Sequence, residues 1–167
     1  RGTAAPDSNA TYGNYILIPN LLQNDAHAEN YGFELAATWN VSERWDLSGA
    51  YTFLISQFHF NDPAVAQSFL DIEDNPRNQV NLRSHYKFND RISMDNILYY
   101  VDNISSQNVS AYMRFDTQIN WQLTENLDLT VTGQNLFDES HQEFSAPLYS
   151  AASEIGRVVY AKARVRF

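Results

Sequence analysis

Four histidines, His27, His59, His85 and His141, are the side chains of this 167-residue chain best suited to acid–base or metal chemistry, and cysteine is absent. In sequence none stands beside another His, Cys or Glu at a spacing typical of a metal site, so no metal is expected. His59 lies between Phe58 and Phe60 at the start of a long connection, where packing is its simplest role. His85 sits between Arg83 and Lys87 and reads as a solvated residue of a polar face. His141 belongs to Asp138-Glu139-Ser140-His141-Gln142-Glu143-Phe144. That run has the composition of a Ser-His-acid hydrolase, but neighbours in one loop do not supply a triad's geometry. Ligand contact by His141, Glu143, Phe144 or Tyr149 is the stronger expectation, because binding residues gather on loops held by a rigid scaffold. No phosphate-cradling glycine loop occurs. The chain is expected to be neither an enzyme nor the holder of a cofactor.

The elements that would position these residues read as strands. In Arg157–Phe167, Val159, Ala161, Ala163, Val165 and Phe167 point one way and Tyr160, Lys162, Arg164 and Arg166 the other. The same alternation runs through 31–41, 45–54, 78–88, 91–101, Ala111–Trp121 and Leu127–Gln134. Between the strand ends no Asp, Glu, Lys or Arg falls on the apolar face. Asn96 is the one departure, a neutral amide among Ile92, Met94, Leu98 and Tyr100. Such strands suit a wall with hydrocarbon on one side and water on the other. A soluble β-sandwich also alternates, but its apolar faces are less uniformly free of charge. The polar face carries Arg83, Lys87, Asp95, Arg114, Asp116, Lys162, Arg164 and Arg166, expected to pair across strands or to grip something inside the wall. Gly32, Gly49 and Gly133 are expected at bends or where aromatic rings cover the backbone.

Composition agrees. Twenty acidic residues against eleven Lys and Arg argue against a nucleic-acid partner. Ten Tyr and ten Phe cluster near segment ends, as an aromatic belt would. No apolar run approaches the roughly 20 residues of a membrane helix. Tight turns at Val41–Arg44, Asn89-Asp90 and Thr124–Asn126 alternate with long connections at 55–77, 102–110 and 137–155. Seven strands are well supported. An eighth is conceivable in 12–24, where Tyr15-Ile16-Leu17-Ile18 is apolar but Pro19 interrupts. Arg1 opens the chain without a signal peptide, so the start is expected to be missing or processed away.

A family resemblance rests on particular residues. Val131-Thr132-Gly133-Gln134-Asn135-Leu136-Phe137-Asp138, then Gly156-Arg157 and a terminal aromatic strand, resembles the C-terminal signature of TonB-dependent outer-membrane receptors. Asn24 to Leu35 is similar to the family's Asn…Ala…Gly-x-Glu strand, Tyr51-Thr52-Phe53 follows in order, and Asn75-Pro76-Arg77 precedes Val80-Asn81-Leu82 as in the family. The resemblance covers 24–167. It implies an all-β fold, an antiparallel transmembrane β-barrel segment of seven or eight strands out of about 22. Residues 1–167 would then be the C-terminal barrel segment, without the plug domain. The implied role is high-affinity uptake of a scarce solute such as a ferric siderophore, in the outer membrane of a Gram-negative-type bacterium. Implied partners are membrane lipids, the plug (faced by Arg114, Arg164 and Arg166), the TonB complex, the solute, and the barrel assembly machinery, with Phe167 as its signal. The alternative is a self-contained eight-stranded barrel with a structural or adhesive role.

Overall fold

Alternation of period two is carried by one antiparallel sheet of seven strands. The computed structural model describes residues 26–61, 75–144 and 153–167, with the backbone of 11–12 and 15–16. The strands are β1 (Ala26–Ser42), β2 (Trp45–Phe60), β3 (Asn78–Asn89), β4 (Ile92–Val101), β5 (Tyr112–Thr124), β6 (Leu127–Gln134) and β7 (Val158–Val165). Each pairs with its sequence neighbour, in the order β7-β6-β5-β4-β3-β2-β1. Among the described residues β1 and β7 do not pair with each other, so the sheet is open. Thr11-Tyr12 pairs with Tyr15-Ile16 in a separate ladder. The rest of the expected eighth strand lies outside the described residues.

The register lines up the apolar residues. Trp45 faces Tyr86, Tyr86 faces Met94, Met94 faces Ile119, Ile119 faces Val131 and Val131 faces Ala161. A second row runs Gly49, Leu82, Leu98, Phe115. A one-residue slip would turn every one of these side chains to the opposite face. Among the described residues no second layer covers them. Phe33, Leu35, Trp39, Leu82, Phe88, Met113, Trp121, Val131, Val159 and Val165 are exposed, and among the described residues only Ile104 and Val109 are buried apolar residues.

Asn96 stops being an anomaly once the register is known. Its row neighbours are Ser84 and Thr117. The Thr117 hydroxyl donates to Asn96 Oδ1 (2.7 Å), and Trp45 Nε1–H donates to Ser84 Oγ (3.0 Å). Bonding lowers the cost of polar atoms on an apolar face. At the far end of that face Tyr51 donates to Asn78 Oδ1 (2.7 Å), and Asn78 Nδ2 to Asp102 Oδ2 (2.7 Å). The Asn78 amide is the main cause holding the Asp102 carboxyl below its ordinary value. Tyr and Phe rings joined to a polar rim fit a boundary between apolar and aqueous surroundings.

Short turns gather at one end of the sheet and long connections at the other. Register shifts at Asn40/Ser42, Lys87/Asn89 and Gln122/Thr124 all sit beside the short turns. Such bulges increase local twist. β1 and β2 outrun their neighbours at the other end. β2 pairs with β3 only as far as Phe53, so 26–31 and 55–60 project as a two-stranded ribbon. The 55–77 connection expected from sequence thus begins later, after Phe60.

Gly32 is fixed by close approach. A methyl group there would overlap the Phe53 carbonyl oxygen of β2, whereas one on Gly49 would meet the end of the Leu82 side chain (3.0 Å) and, at ordinary contact distance, the Asn81 carbonyl oxygen (3.7 Å). Gly32→Ala is expected to cost about 1–3 kcal/mol and Gly49→Ala less than about 1 kcal/mol, read by urea unfolding in lipid vesicles. Equal costs at the two sites would contradict this packing.

Candidate functional site

The polar face of β5 presents Tyr112, Arg114 and Asp116 in succession, and the segment after β6 folds back over them. Asn135 makes the corner. Its φ of 53° is left-handed, a region asparagine tolerates better than most residues. Its buried backbone N–H donates to Asp116 Oδ1 (2.9 Å), and its side-chain Nδ2 donates to the Ile155 carbonyl (3.0 Å). Leu136 N–H then donates to the Phe115 carbonyl (2.9 Å) and Phe137 stacks on the Phe115 ring (4.8 Å between centroids). Leu136 also lies over Gly133, where an added methyl would meet its Cδ2 at 3.0 Å. The cover at Gly133 is therefore aliphatic.

Gly156-Arg157 closes the same corner from the other side. Ile155 pairs with His141 and Gly156 with Ser140, and Arg157 N–H donates to the Glu139 carbonyl (3.0 Å). The two halves of the motif, well separated in sequence, are one hydrogen-bonded unit.

Within it His141 is almost fully enclosed, with 6% of its side chain exposed. Its ring stacks on Tyr112 (4.2 Å, 15°), and its Nε2 lies 3.1 Å from Glu143 Oε1. A carboxylate only accepts, so Nε2 carries the proton in this contact. Arg114 joins from β5. Nε and Nη2 grip Asp116 in a fork (2.9 and 2.7 Å), Nη1 reaches to 3.8 Å from Glu143, and the guanidinium lies 5.7 Å from the Tyr99 ring centroid. Two groups of residues singled out separately in sequence, His141 with Glu143 and Arg114, thus form one cluster. Ser140 turns away from it and donates to Glu154 (2.6 Å), so Ser140 and His141 do not form a hydrolase pair. Phe144 is exposed. Tyr149 lies outside the described residues.

Arg164 and Arg166 lie elsewhere, at the short-turn end, where both approach Asp128. The Arg164 side chain is 66% exposed. Arg114 differs from the expected cross-strand pairing, because its partner is two residues along the same strand. His85 is likewise not simply solvated, since its Nδ1 is 2.9 Å from Asp95. Phe167 is exposed, beyond the last residue of β7. Sequence reasoning did not single out Tyr112, and it read Asp116 only as one of the polar-face charges and Asn135 only as part of the family motif. The Arg-x-Asp spacing on one strand face was the available signal for Asp116.

Residues 2–136 match the family model described as TonB dependent receptor-like, beta-barrel. The chain belongs to this family. Among curated relatives of this TonB-dependent receptor-like barrel is a probable TonB-dependent siderophore receptor, PiuA of Acinetobacter baumannii, 23% identical over 137 residues, which are 74% of this chain and 18% of that protein. Two solved structures share its fold. The ferric-catecholate import receptor Fiu of E. coli has a TM-score of 0.63 at 19% identity, over 84% of this chain and 21% of that one. The ferric yersiniabactin uptake receptor FyuA of Yersinia pestis has 0.67 at 20% identity, over 86% and 24%. The chain spans about a fifth of the length of these relatives.

Proposed function

We propose that this chain is the C-terminal barrel portion of an outer-membrane receptor that takes up a scarce solute, a ferric siderophore being the leading candidate. The observation that carries the reading is a single sheet with a continuous, uncovered apolar face and a hydrogen-bonded polar face. In water such a face would far exceed the patches that soluble monomers tolerate. In a bilayer it is the outer wall of a barrel. The open edges at β1 and β7 would be joined by the remaining strands of a longer receptor, since unpaired strand edges are costly in hydrocarbon. Of the relatives named above, one is a probable siderophore receptor, one a ferric-catecholate import receptor and one a ferric yersiniabactin uptake receptor, which supports the class of cargo. The work would be binding and gated passage, with no covalent chemistry, in the outer membrane of a Gram-negative-type bacterium.

The long connections would then face outward and the short turns the periplasm. Glu143 and Phe144, with Tyr149, would contact the solute, while the enclosed His141 holds their loop against Tyr112. Arg164 and Arg166 would face a plug domain inside the wall, and TonB would act through that plug. Phe167 would serve the assembly machinery.

Iron-limited growth and solute binding by the full-length receptor test this. Phe144→Ala with Glu143→Ala is expected to weaken binding of the ferric siderophore by about tenfold or more, at unchanged surface abundance. Unchanged binding would remove these residues from the site. A coding sequence with no plug upstream would overturn the receptor reading.

A further inference from the structure

The three short turns at one end of the sheet carry different charges: Glu43-Arg44, Asp90-Arg91 and Glu125-Asn126. Asn126 is neutral, and the Arg44 guanidinium donates to the Phe88 carbonyl (3.5 Å). Asp90 and Arg91 are exposed, and among the described residues neither stands in an ion pair. Their backbone is held from both sides. Asn89 Oδ1 accepts from the N–H groups of Arg91 and Ile92 (2.9 Å each), and the Arg91 carbonyl accepts from Gln122 N–H (2.8 Å). Asn89, Asp90, Arg91, Ile92 and Trp121 line a shallow cleft of about 430 Å³ at this turn. Ile92 and Trp121 are cross-strand partners on the apolar face, and Met94 with Ile119 continues that face toward mid-sheet. One cation and one anion thus adjoin each other at the rim of an apolar wall.

We infer that the Asp90-Arg91 turn binds a membrane phospholipid whose headgroup carries both a phosphodiester and a primary ammonium, the phosphoethanolamine type. A guanidinium matches phosphate oxygens with two donors, which assigns the phosphodiester to Arg91. The ammonium donates to the Asp90 carboxylate. Two carbons join phosphate and ammonium in such a headgroup, so neighbouring residues meet both. The acyl chains then follow Ile92 and Trp121 to Met94 and Ile119, with the indole at the boundary between apolar and aqueous surroundings, where tryptophan gathers. The two turn charges also select against other headgroups. A purely anionic headgroup sets its charge against Asp90, and a trimethylated one brings no N–H for Asp90 to accept. The inference rests on the reading that this apolar face lies in a bilayer, and names the lipid that the face holds on its short-turn side.

Native mass spectrometry of the full-length protein in detergent micelles tests it, with three lipids of identical chains: phosphatidylethanolamine, phosphatidylglycerol and phosphatidylcholine. The parent is expected to retain one phosphatidylethanolamine with about threefold to fivefold preference over the other two. Arg91→Ala should lower its retention about tenfold, through loss of a charge-assisted fork to phosphate. Asp90→Asn should abolish the preference over phosphatidylglycerol while binding persists, and Arg44→Ala should change neither. Should Arg91→Ala lose its heat-modifiable migration on gels, Arg91→Gln replaces it. Equal binding of all three lipids by the parent and both variants would keep the membrane wall and overturn this site. An equal loss in Arg44→Ala would also overturn it, by showing a diffuse attraction to charge. Failure to retain any phospholipid would overturn the site together with the bilayer reading on which it rests.

Discussion

Asp116→Ala is expected to destabilise the protein by about 3 kcal/mol, more than any other single change at the folded-back corner. The carboxylate is 12% exposed and holds two things at once, the Arg114 fork and the buried N–H of Asn135. Removing one partner of a mostly enclosed ion pair strands the other charge, and a buried N–H left without an acceptor costs about 1–3 kcal/mol by itself. Arg114 is a quarter exposed, so water recovers part of the first loss. Arg114→Ala should therefore cost less, about 1–2 kcal/mol, because Asp116 still accepts from Asn135. Asp116→Asn keeps an acceptor oxygen and should fall between the two. Urea unfolding in lipid vesicles, followed by tryptophan fluorescence, reads all three. The expected order of cost is Asp116→Ala, then Asp116→Asn, then Arg114→Ala. An Asp116→Ala variant within about 0.5 kcal/mol of the parent would show that the corner is held by something else.

Leu82→Arg and Asn81→Arg occupy adjacent positions of β3 and should differ several-fold in cost. Leu82 lies on the apolar face between Gly49 and Leu98, and Asn81 on the polar face between Ala50 and Tyr99. An arginine in hydrocarbon near mid-strand costs about 2–4 kcal/mol, while one on a hydrated wall costs less than about 1 kcal/mol. Were the apolar face bathed in water, an arginine at the half-exposed Leu82 would change stability by only about 0.5 kcal/mol. The pair of variants therefore separates a membrane wall from a soluble sheet on the same scaffold and by the same unfolding measurement.

Much of the sheet was legible because its signal is local. Each strand declares its two faces by alternation, and the odd positions of β5, β6 and β7 carry no charge. What escaped the sequence is what depends on pairing between distant strands. Asn96 looked like a fault until Thr117 and Ser84 stood beside it in the row. His59 looked like a loop residue because its alternation ends in Phe58, His59 and Phe60, yet pairing with Ala26–Ala28 keeps it in a strand. Arg114 was expected to pair across strands or to face a plug, and its two bonds to Asp116 on its own strand were not read from the sequence. The motif Asn135-Leu136-Phe137 was recognisable as a pattern. Its physical content, a left-handed corner tied to Asp116, Phe115 and Ile155, emerges only in the folded chain.

The central claim is that the odd-numbered face of β5 lies in hydrocarbon. The chain has no cysteine, so single cysteines introduced one at a time from Met113 to Trp121 each carry one nitroxide label in this segment. In lipid vesicles, collision with oxygen reports the apolar phase and collision with a water-soluble nickel chelate reports the aqueous one. Labels at 113, 115, 119 and 121 are expected to favour oxygen, labels at 118 and 120 to favour nickel, with a period of two along the strand. Nickel access at all of these positions, without alternation, would contradict the membrane wall.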